Sequence, residues 1–255
     1  MSRPAPALRS VAALAAHDLR VTARRGENVL VTLVIPIAVL LFFASTPVVP
    51  VPTGDAVDYL LPGVISLAII ASGLVNLGIA TAYDRSYGVL KRLGAAPLPS
   101  WGLVAAKIGA ILVLEVVQVL ALVAVASLGL GWAPGAGWSP ALFIVAMALG
   151  TVAFAGLGLL LAGTLRAEAT LALANGLFLG FLMLGGIVLP IDHLPEALRP
   201  IAALLPATAL ADLLRISLAS GLAAGTPASP VQPVLLLAAW GVAAVGLAIR
   251  TFRWD

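Results

Sequence analysis

Two long apolar runs of this 255-residue chain are separated by the stretch Tyr83-Asp-Arg-Ser-Tyr-Gly-Val-Leu-Lys-Arg-Leu-Gly-Ala-Ala-Pro-Leu-Pro-Ser-Trp101. Its apolar side chains recur at spacings of three and four, which places them on one helical face: Tyr87, Leu90 and Leu93. Its cations lie beside that face: Arg85, Lys91 and Arg92. The pattern predicts a short amphipathic helix that lies along a membrane surface.

The same stretch contains signals for both ends of that helix. Asp84 is a suitable N-cap, Gly94 a suitable C-terminal stop, and Pro97 and Pro99 prevent continuation. About ten helical residues at 1.5 Å per residue predict a rod of about 15 Å. Its charged face could be moved by something in the aqueous phase.

The composition identifies the environment of the chain. It is 62% hydrophobic and 10% charged, with a mean hydropathy of +1.13, whereas a soluble domain carries about 25% charged residues. One soluble core could not hide so much apolar surface, so we expect an integral membrane protein. The chain has no cysteine, which excludes disulfides and thiolate metal sites. The pI near 9.8 comes from scattered basic residues without a basic aromatic stripe, so we expect no nucleic-acid partner.

The sequence predicts a single transmembrane domain over residues 1–255, all α-helical, with six spans at 29–48, 59–82, 102–130, 139–164, 170–190 and 231–250. Residues 1–28 are too basic for a cleavable signal, so we expect a cytoplasmic start and an uncleaved first span. Within them, residues 7–25 are weakly amphipathic and predict an interfacial helix; a frayed basic tail is the alternative. Pro36 should kink the first span, and Lys107 should snorkel from the third.

The positive charges predict the orientation of these spans. With a cytoplasmic N-terminus, 12 of the 14 basic residues lie in cytoplasmic segments and only Arg199 and Arg215 lie outside. Both termini are then cytoplasmic. Abundant arginine and alanine suggest a high-GC bacterial genome, and hence a bacterial inner membrane.

The region 191–230 is interrupted by several prolines. A seventh span over 201–222 would place Asp212 and Arg215 in mid-bilayer, each at a cost of several kcal/mol. We therefore expect two short helices over 191–222 that enter the outer leaflet and return.

Polar side chains inside the predicted spans are candidates for a translocation path. Glu115 and Gln118 lie three residues apart in the third span, and Asn76 lies in the second. A carboxyl group at that depth should face the bundle interior or a watery path. Glu115 therefore lines a substrate route, pairs across the bundle, or is a structural hydrogen-bonding anchor. Asn76 is better explained by packing, as is Ser72.

The sequence argues against several catalytic classes. The two histidines fall on opposite sides of the membrane in this topology, so they form no common metal site and serve no buried nucleophile. Neither lysine follows a phosphate-binding glycine loop. We therefore expect no cofactor on this chain, and any ATP would have to be bound by another subunit.

Three segments resemble the type-2 ABC transporter permeases, the daunorubicin-resistance-like exporters among them. They are Leu61-Pro-Gly-Val-Ile, the run Tyr83 to Pro99, and Gly185-Gly-Ile-Val-Leu-Pro190 followed by Leu194-Pro and Leu205-Pro-Ala-Thr. Asp212 and Arg215 downstream also fit that family. The resemblance covers most of the chain.

The resemblance implies an export subunit that works as a homodimer with two cytoplasmic ATPase subunits, which would bind ATP and Mg²⁺. The stretch 83–101 would be the coupling helix that enters the ATPase, and alternating access would follow nucleotide-dependent closure. The region 191–222 would close the outer mouth, with Pro190, Pro195, Pro206, Asp212 and Arg215 as gate residues. The substrate could be a drug, a lipid or a polysaccharide.

Three other interpretations remain open. The cations of the stretch 83–101 could be topology determinants bound to anionic lipid rather than ATPase contacts. A proton-coupled carrier centred on Glu115 would transport without an ATPase. An intramembrane lipid-modifying enzyme would need a cluster of carboxylates or histidines at one depth, which the sequence does not suggest.

Overall fold

The structure is a computed structural model that describes residues 7–24, 26–46, 55–94, 100–220, 222 and 226–251. Within these ranges the chain is helical and contains no strand. The helices are α1 (Ala7–Arg24), α2 (Gly26–Ser45), α3 (Ala56–Ile70), α4 (Gly78–Ser86), α5 (Val89–Gly94), α6 (Ser100–Gly129), α7 (Pro140–Thr164), α8 (Ala167–Leu184), α9 (Arg199–Ala203), α10 (Pro206–Leu218) and α11 (Val231–Thr251).

A π-helical segment, Ala71–Leu77, joins α3 to α4, so that Ala56–Ser86 is one continuous helix of 31 residues. In the part of the chain that the structure describes, five helices are long and apolar enough to cross a membrane: Ala56–Ser86, α6, α7, α8 and α11. Within α2, the stretch Thr32–Ser45 is also apolar but is shorter than these five helices. It contains Pro36. The Ala56–Ser86 helix is the most enclosed of the five, whereas α8 and α11 leave most of their surface facing outward.

The centre of the bundle is the contact between α7 and the π-helical segment. A Cβ atom added to Gly158 would come within 2.5 Å of the Gly73 carbonyl oxygen, and one added to Gly73 within 2.8 Å of the Ala155 nitrogen. The backbones of α7 and the π-helical segment can therefore approach this closely only because both residues are glycine. Phe154 packs edge-on against Phe181 of α8, with ring centroids 5.6 Å apart.

Contacts between distant segments define two ends of the bundle. At the α1 end, Lys107 at the start of α6 pairs with Asp18, and Arg85 at the end of α4 donates to the Ala162 carbonyl oxygen near the end of α7. At the opposite end, the backbone nitrogens of Gly135 and Ser139 donate to the carbonyl oxygens of Leu218 and Ser217 at the end of α10. The predicted cytoplasmic segments thus meet at one end.

The structure corrects several predicted boundaries around the stretch 83–101. Asp84 is not an N-cap, because α4 continues through it to Ser86. The helix stops at Tyr87, and Gly88 turns the chain with φ at 71°. The following helix, α5, is described over Val89–Gly94, so the predicted stop at Gly94 falls at the edge of the described residues and stays a prediction. Residues 95–99, including both prolines, lie outside the described residues.

One predicted span is shorter than expected, and the two short helices expected in the region 191–222 are present. The fifth predicted span, 170–190, is helical only over Ala167–Leu184, because the chain leaves the helix at Gly185 and Gly186 has a φ of 64°. The region 191–222 does contain two short helices, α9 and α10, as well as a 3-10 turn at Ile191–His193. α10 is buried over nearly its whole length among α3, α7, α8 and α11.

Candidate functional site

A cavity of about 840 Å³ opens between α1, α2, α6 and the C-terminal half of the Ala56–Ser86 helix. Its walls are mainly aliphatic, and polar side chains are concentrated in two places. The first, here called the polar cluster, comprises Thr32, Ser72, Asn76 and Gln118. The second, the ionic junction, comprises Asp18, Asp84 and Lys107, and lies at the α1 end.

Hydrogen bonds link the members of the polar cluster across three helices. The Gln118 side-chain nitrogen donates to the Thr32 carbonyl oxygen at 2.6 Å, and its oxygen accepts from Ser72 at 3.3 Å. The Asn76 nitrogen lies 3.4 Å from the Thr32 hydroxyl oxygen. Ser72 and Asn76 both belong to the π-helical segment, a distortion that often occurs at functional sites. The structure thus brings together two of the three predicted path residues, Asn76 and Gln118.

The third predicted path residue, Glu115, does not line this cavity. It is fully buried and faces α7, where its carboxyl group is hydrogen-bonded to the Thr151 hydroxyl. The Thr151 hydroxyl oxygen also lies 2.8 Å from the Met147 carbonyl oxygen. The second Glu115 oxygen has no hydrogen-bond partner among the described residues. This geometry fits the expectation that Glu115 pairs across the bundle.

The ionic junction corrects the expectation for Lys107. Its side chain does not snorkel into water; it is only 6% exposed, with Nζ 3.4 Å from Asp84 Oδ2 and 3.6 Å from Asp18 Oδ2. Carboxylates supplied by α1 and α4 replace water around the ammonium group. No local pattern in the sequence could pair Asp18 with Lys107, because the two residues are 89 positions apart.

The predicted ATPase-coupling residues divide into internal and surface groups. Asp84 belongs to the ionic junction, Arg85 donates to the Ala162 carbonyl oxygen at 2.6 Å, and Leu90 is fully buried. Tyr87, at 75% exposure, and Lys91 face outward. Tyr87 therefore does not share a face with Leu90, because the turn at Gly88 interrupts the expected helical register. The side chains of Arg92 and Leu93 lie outside the described residues.

Arg215 organises the opposite end of the bundle. Its guanidinium group donates to the Gly186 carbonyl oxygen at 2.6 Å, contacts Asp212 at 3.5 Å, and lies 4.4 Å from the centroid of the Tyr59 ring. The Tyr59 hydroxyl group donates to the same Gly186 oxygen at 3.3 Å. Burial raises the pKa of Asp212 to about 6, while the neighbouring Arg215 acts to lower it. These contacts fasten α10 to α3 and to the chain that follows α8.

The three predicted gate prolines lie in different surroundings. Pro190 is buried and precedes the 3-10 turn, Pro195 is exposed, and Pro206 is buried at the first turn of α10. Over the described ranges, no group of three or more histidine, aspartate or glutamate side chains could hold a metal ion.

The five long apolar helices define a multi-pass membrane protein. A family model described as ABC-2 type transporter matches residues 9–219, which is most of the chain. The chain therefore belongs to the ABC-2 type transporter family, as the sequence resemblance predicted, and is a permease component of an ABC transporter. Permeases of this family work with an ABC ATPase, which supplies the ATP hydrolysis. A comparison with curated protein sequences found no match.

Proposed function

We propose that this chain is the membrane subunit of an ATP-driven exporter that moves a hydrophobic or amphipathic molecule outward. Two cytoplasmic ATPase subunits would bind ATP and Mg²⁺, and a second copy of the chain would complete the permease. It would lie in a bacterial inner membrane with both termini in the cytoplasm and with α2 as a sixth span. The observation that carries this proposal is the continuity of the Ala56–Ser86 helix between the surface around α5 and the cavity.

The α1 end has a surface suited to an ATPase contact. Tyr87, Val89 and Lys91 are exposed there, next to the turn that ends α4. The positive-inside rule supports a cytoplasmic location for this end, because most of the basic residues fall in segments that meet there. Arg92 and Leu93 belong to the same proposed contact.

A displacement of α5 would reach the cavity through α4. The last turn of α4 is fastened to α7 by Arg85 and to α6 by the pair between Asp84 and Lys107, and Lys107 also contacts α1. One turn of helix thus connects three other elements. Further along the same helix lie Asn76 and Ser72, so a shift of α4 would change the width of the cavity beside them.

At the opposite end, α10 would serve as the outer closure. Its contacts through Arg215 hold it against α3 and the Gly186 carbonyl oxygen. The proposed re-entrant pair would be α9 and α10, which would enter and leave the membrane on the same side. Opening of this end would require the Arg215 contacts to break or to rotate with α3.

The test is reconstitution of the permease with its ATPase in vesicles, with transport measured with and without ATP. The double charge reversal K91E/R92E should reduce co-purification of the ATPase at least tenfold and abolish ATP-dependent transport. The matched control is R166E/R250E, which makes the same charge change at two exposed arginines elsewhere in the chain. Unchanged complex formation in K91E/R92E would overturn the coupling assignment, and transport without any ATPase would overturn the exporter proposal.

A further inference from the structure

We propose that the cavity between α1, α2, α4 and α6 binds an amphipathic molecule through a protonated amine, and rejects anionic molecules of the same size. This inference rests on the proposed function and adds the charge class of the ligand. It is carried by the ionic groups, the aromatic rings and the dimensions of one cavity.

The size and walls of the cavity suit an organic ligand. Its volume of about 840 Å³ lies within the range of about 300–1,000 Å³ that small-molecule sites occupy. Aliphatic side chains from three helices form most of the wall: Leu33, Leu77, Ile79, Ile111, Leu114 and Val117. A ligand must therefore bring an apolar body to cover this surface.

Among the described residues that line the cavity, the formal charges sum to one negative charge. Asp18 and Asp84 carry two carboxylates, and Lys107 is the single cation among the described lining residues. Its ammonium group is 6% exposed and already contacts both carboxylates, which keep 26% and 38% of their side-chain surface exposed. The accessible charge is thus carboxylate, not ammonium. An anion entering this apolar space would face repulsion that water screens poorly.

Two aromatic rings add to the same preference. Tyr83 and Tyr87 both line the cavity, and their ring centroids lie 6.0 Å apart. Aromatic faces attract ammonium groups within about 6 Å of the ring centroid. A protonated amine placed between these rings and Asp84 would therefore be stabilised by both kinds of group.

The polar cluster can hold a second polar group of the ligand. Asn76 lines the cavity about two helical turns from Tyr83 along Ala56–Ser86, and Gln118 on α6 accepts a hydrogen bond from Ser72, about one turn further along that helix. Amide groups both donate and accept hydrogen bonds, so they suit hydroxyl, carbonyl or amide groups without selecting charge. The predicted ligand has an amine at the α1 end, an apolar body and an uncharged polar group at the deep end.

A protonated amine on an apolar body could come from a soluble cationic amphiphile or from the headgroup of an aminophospholipid.

The binding test uses the full-length permease in a nonionic detergent, without nucleotide or ATPase. It is titrated with dansyl-labelled alkyl chains that end in an amine, an alcohol or a carboxylate. Fluorescence anisotropy should give an amine affinity at least tenfold tighter than that of the carboxylate. Equal affinity for the amine and the carboxylate would overturn the proposal.

Variants locate the site. Asp84→Asn should weaken amine binding about tenfold, whereas Glu168→Gln removes an exposed carboxylate at the same end of the bundle and should leave it unchanged. Asp84→Asn also removes a contact of Lys107, so a second variant, Tyr87→Leu, is needed. Because the Tyr87 ring is exposed and lies just after α4, its replacement should weaken amine binding without affecting folding. If Tyr87→Leu and a correctly folded Asp84→Asn both bind the amine as tightly as the unaltered protein, the amine does not bind at this site.

Competition identifies the source of the amine. Phosphatidylethanolamine that displaces the dansyl amine, when phosphatidylglycerol does not, supports a lipid ligand. Displacement by a soluble amine alone supports a free cationic amphiphile, and displacement by neither overturns the site. Amine binding is measured without ATP, so the two proposals can fail separately. Absence of amine binding would not contradict the exporter proposal, and absence of ATP-driven transport would not change the interpretation of the binding measurements.

Discussion

Asp84 and Lys107 lie 23 positions apart in sequence, yet the Asp84 carboxylate is 3.4 Å from the Lys107 ammonium group. The pair joins the last turn of the Ala56–Ser86 helix to the first turns of α6, and Asp18 extends it to α1. The link lies directly before the turn that leads to α5. In the proposed exporter it would make α1, α4 and α6 move together when the ATPase pushes α5.

Lys107→Gln should destabilise the permease by about 2 kcal/mol, because two carboxylates lose their cation; partial exposure of both keeps the cost below that of a fully buried pair. The measurement is the thermal transition of the purified protein in detergent. Lys91→Gln, which changes the other lysine at an exposed position, is the control and should leave the transition in place. A transition of Lys107→Gln equal to that of the unaltered protein would contradict the role of the junction.

Gly158→Ala should lower stability by about 1–3 kcal/mol, because the added methyl group would press on the Gly73 carbonyl oxygen, a backbone atom that cannot move aside. Gly176→Ala is the matched control, since a Cβ atom there meets nothing within 4 Å. The thermal transitions of the two variants are compared in the same detergent. Equal transitions would mean that the two helices are not in close contact.

Glu115→Gln should retain ATP-dependent transport within about twofold, a difference of about 0.4 kcal/mol in activation free energy. Glutamine has the shape of glutamate and can still hydrogen-bond Thr151, and the side chain does not line the cavity. The initial transport rate is measured in reconstituted vesicles at two external pH values. Loss of transport with preserved ATPase binding would favour the proton-coupled carrier centred on Glu115.

Arg215→Gln should destabilise the protein by about 3 kcal/mol, since the loss removes a buried donor to Gly186 and leaves Asp212 without its cation. Asp212→Asn should cost less. The thermal transition in detergent is measured for both variants at pH 7. A larger loss in Asp212→Asn than in Arg215→Gln would show that the carboxylate, not the guanidinium group, holds α10 in place.

The stability difference between the unaltered protein and Asp212→Asn should shrink as the pH rises. The pKa of Asp212 is raised by burial to about 6, so the carboxyl group binds its proton more tightly in the folded state. Its contribution to stability is therefore complete below the unfolded pKa and is lost as the pH rises through 6. Thermal transitions recorded between pH 4 and pH 7.5 test this, and a constant difference across that range would refute it.

Much of the fold could be predicted from hydropathy, because crossing a lipid layer depends on a local sum over about 20 residues. That sum identified Ala56–Ser86, α6, α7, α8 and α11, and proline spacing identified two short helices in the region 191–222. The boundaries were less predictable. Helix continuation through Asp84 depends on Arg85 and Asp84 finding partners on α7 and α6, which no local signal encodes.

The candidate site was only partly predictable for the same reason. Asn76 and Gln118 were found as polar residues in apolar runs, but their common cavity arises from the packing of α2, α6 and the π-helical segment. Glu115 and Gln118 are one helical turn apart, and one faces α7 while the other faces the cavity. Which neighbour each side chain meets is set by how distant helices cross.

The amino-acid sequence by itself determined that this is a membrane protein and which of its segments carry the positive charge, since each of these follows from residues close together along the chain. Only the tertiary structure decided that Lys107 is enclosed by Asp18 and Asp84, that Arg215 lies against Tyr59, and that a cavity with these ionic groups among its described lining residues opens beside the Ala56–Ser86 helix. These features depend on pairs of residues that are far apart in the chain, and only close packing of the helices brings them together.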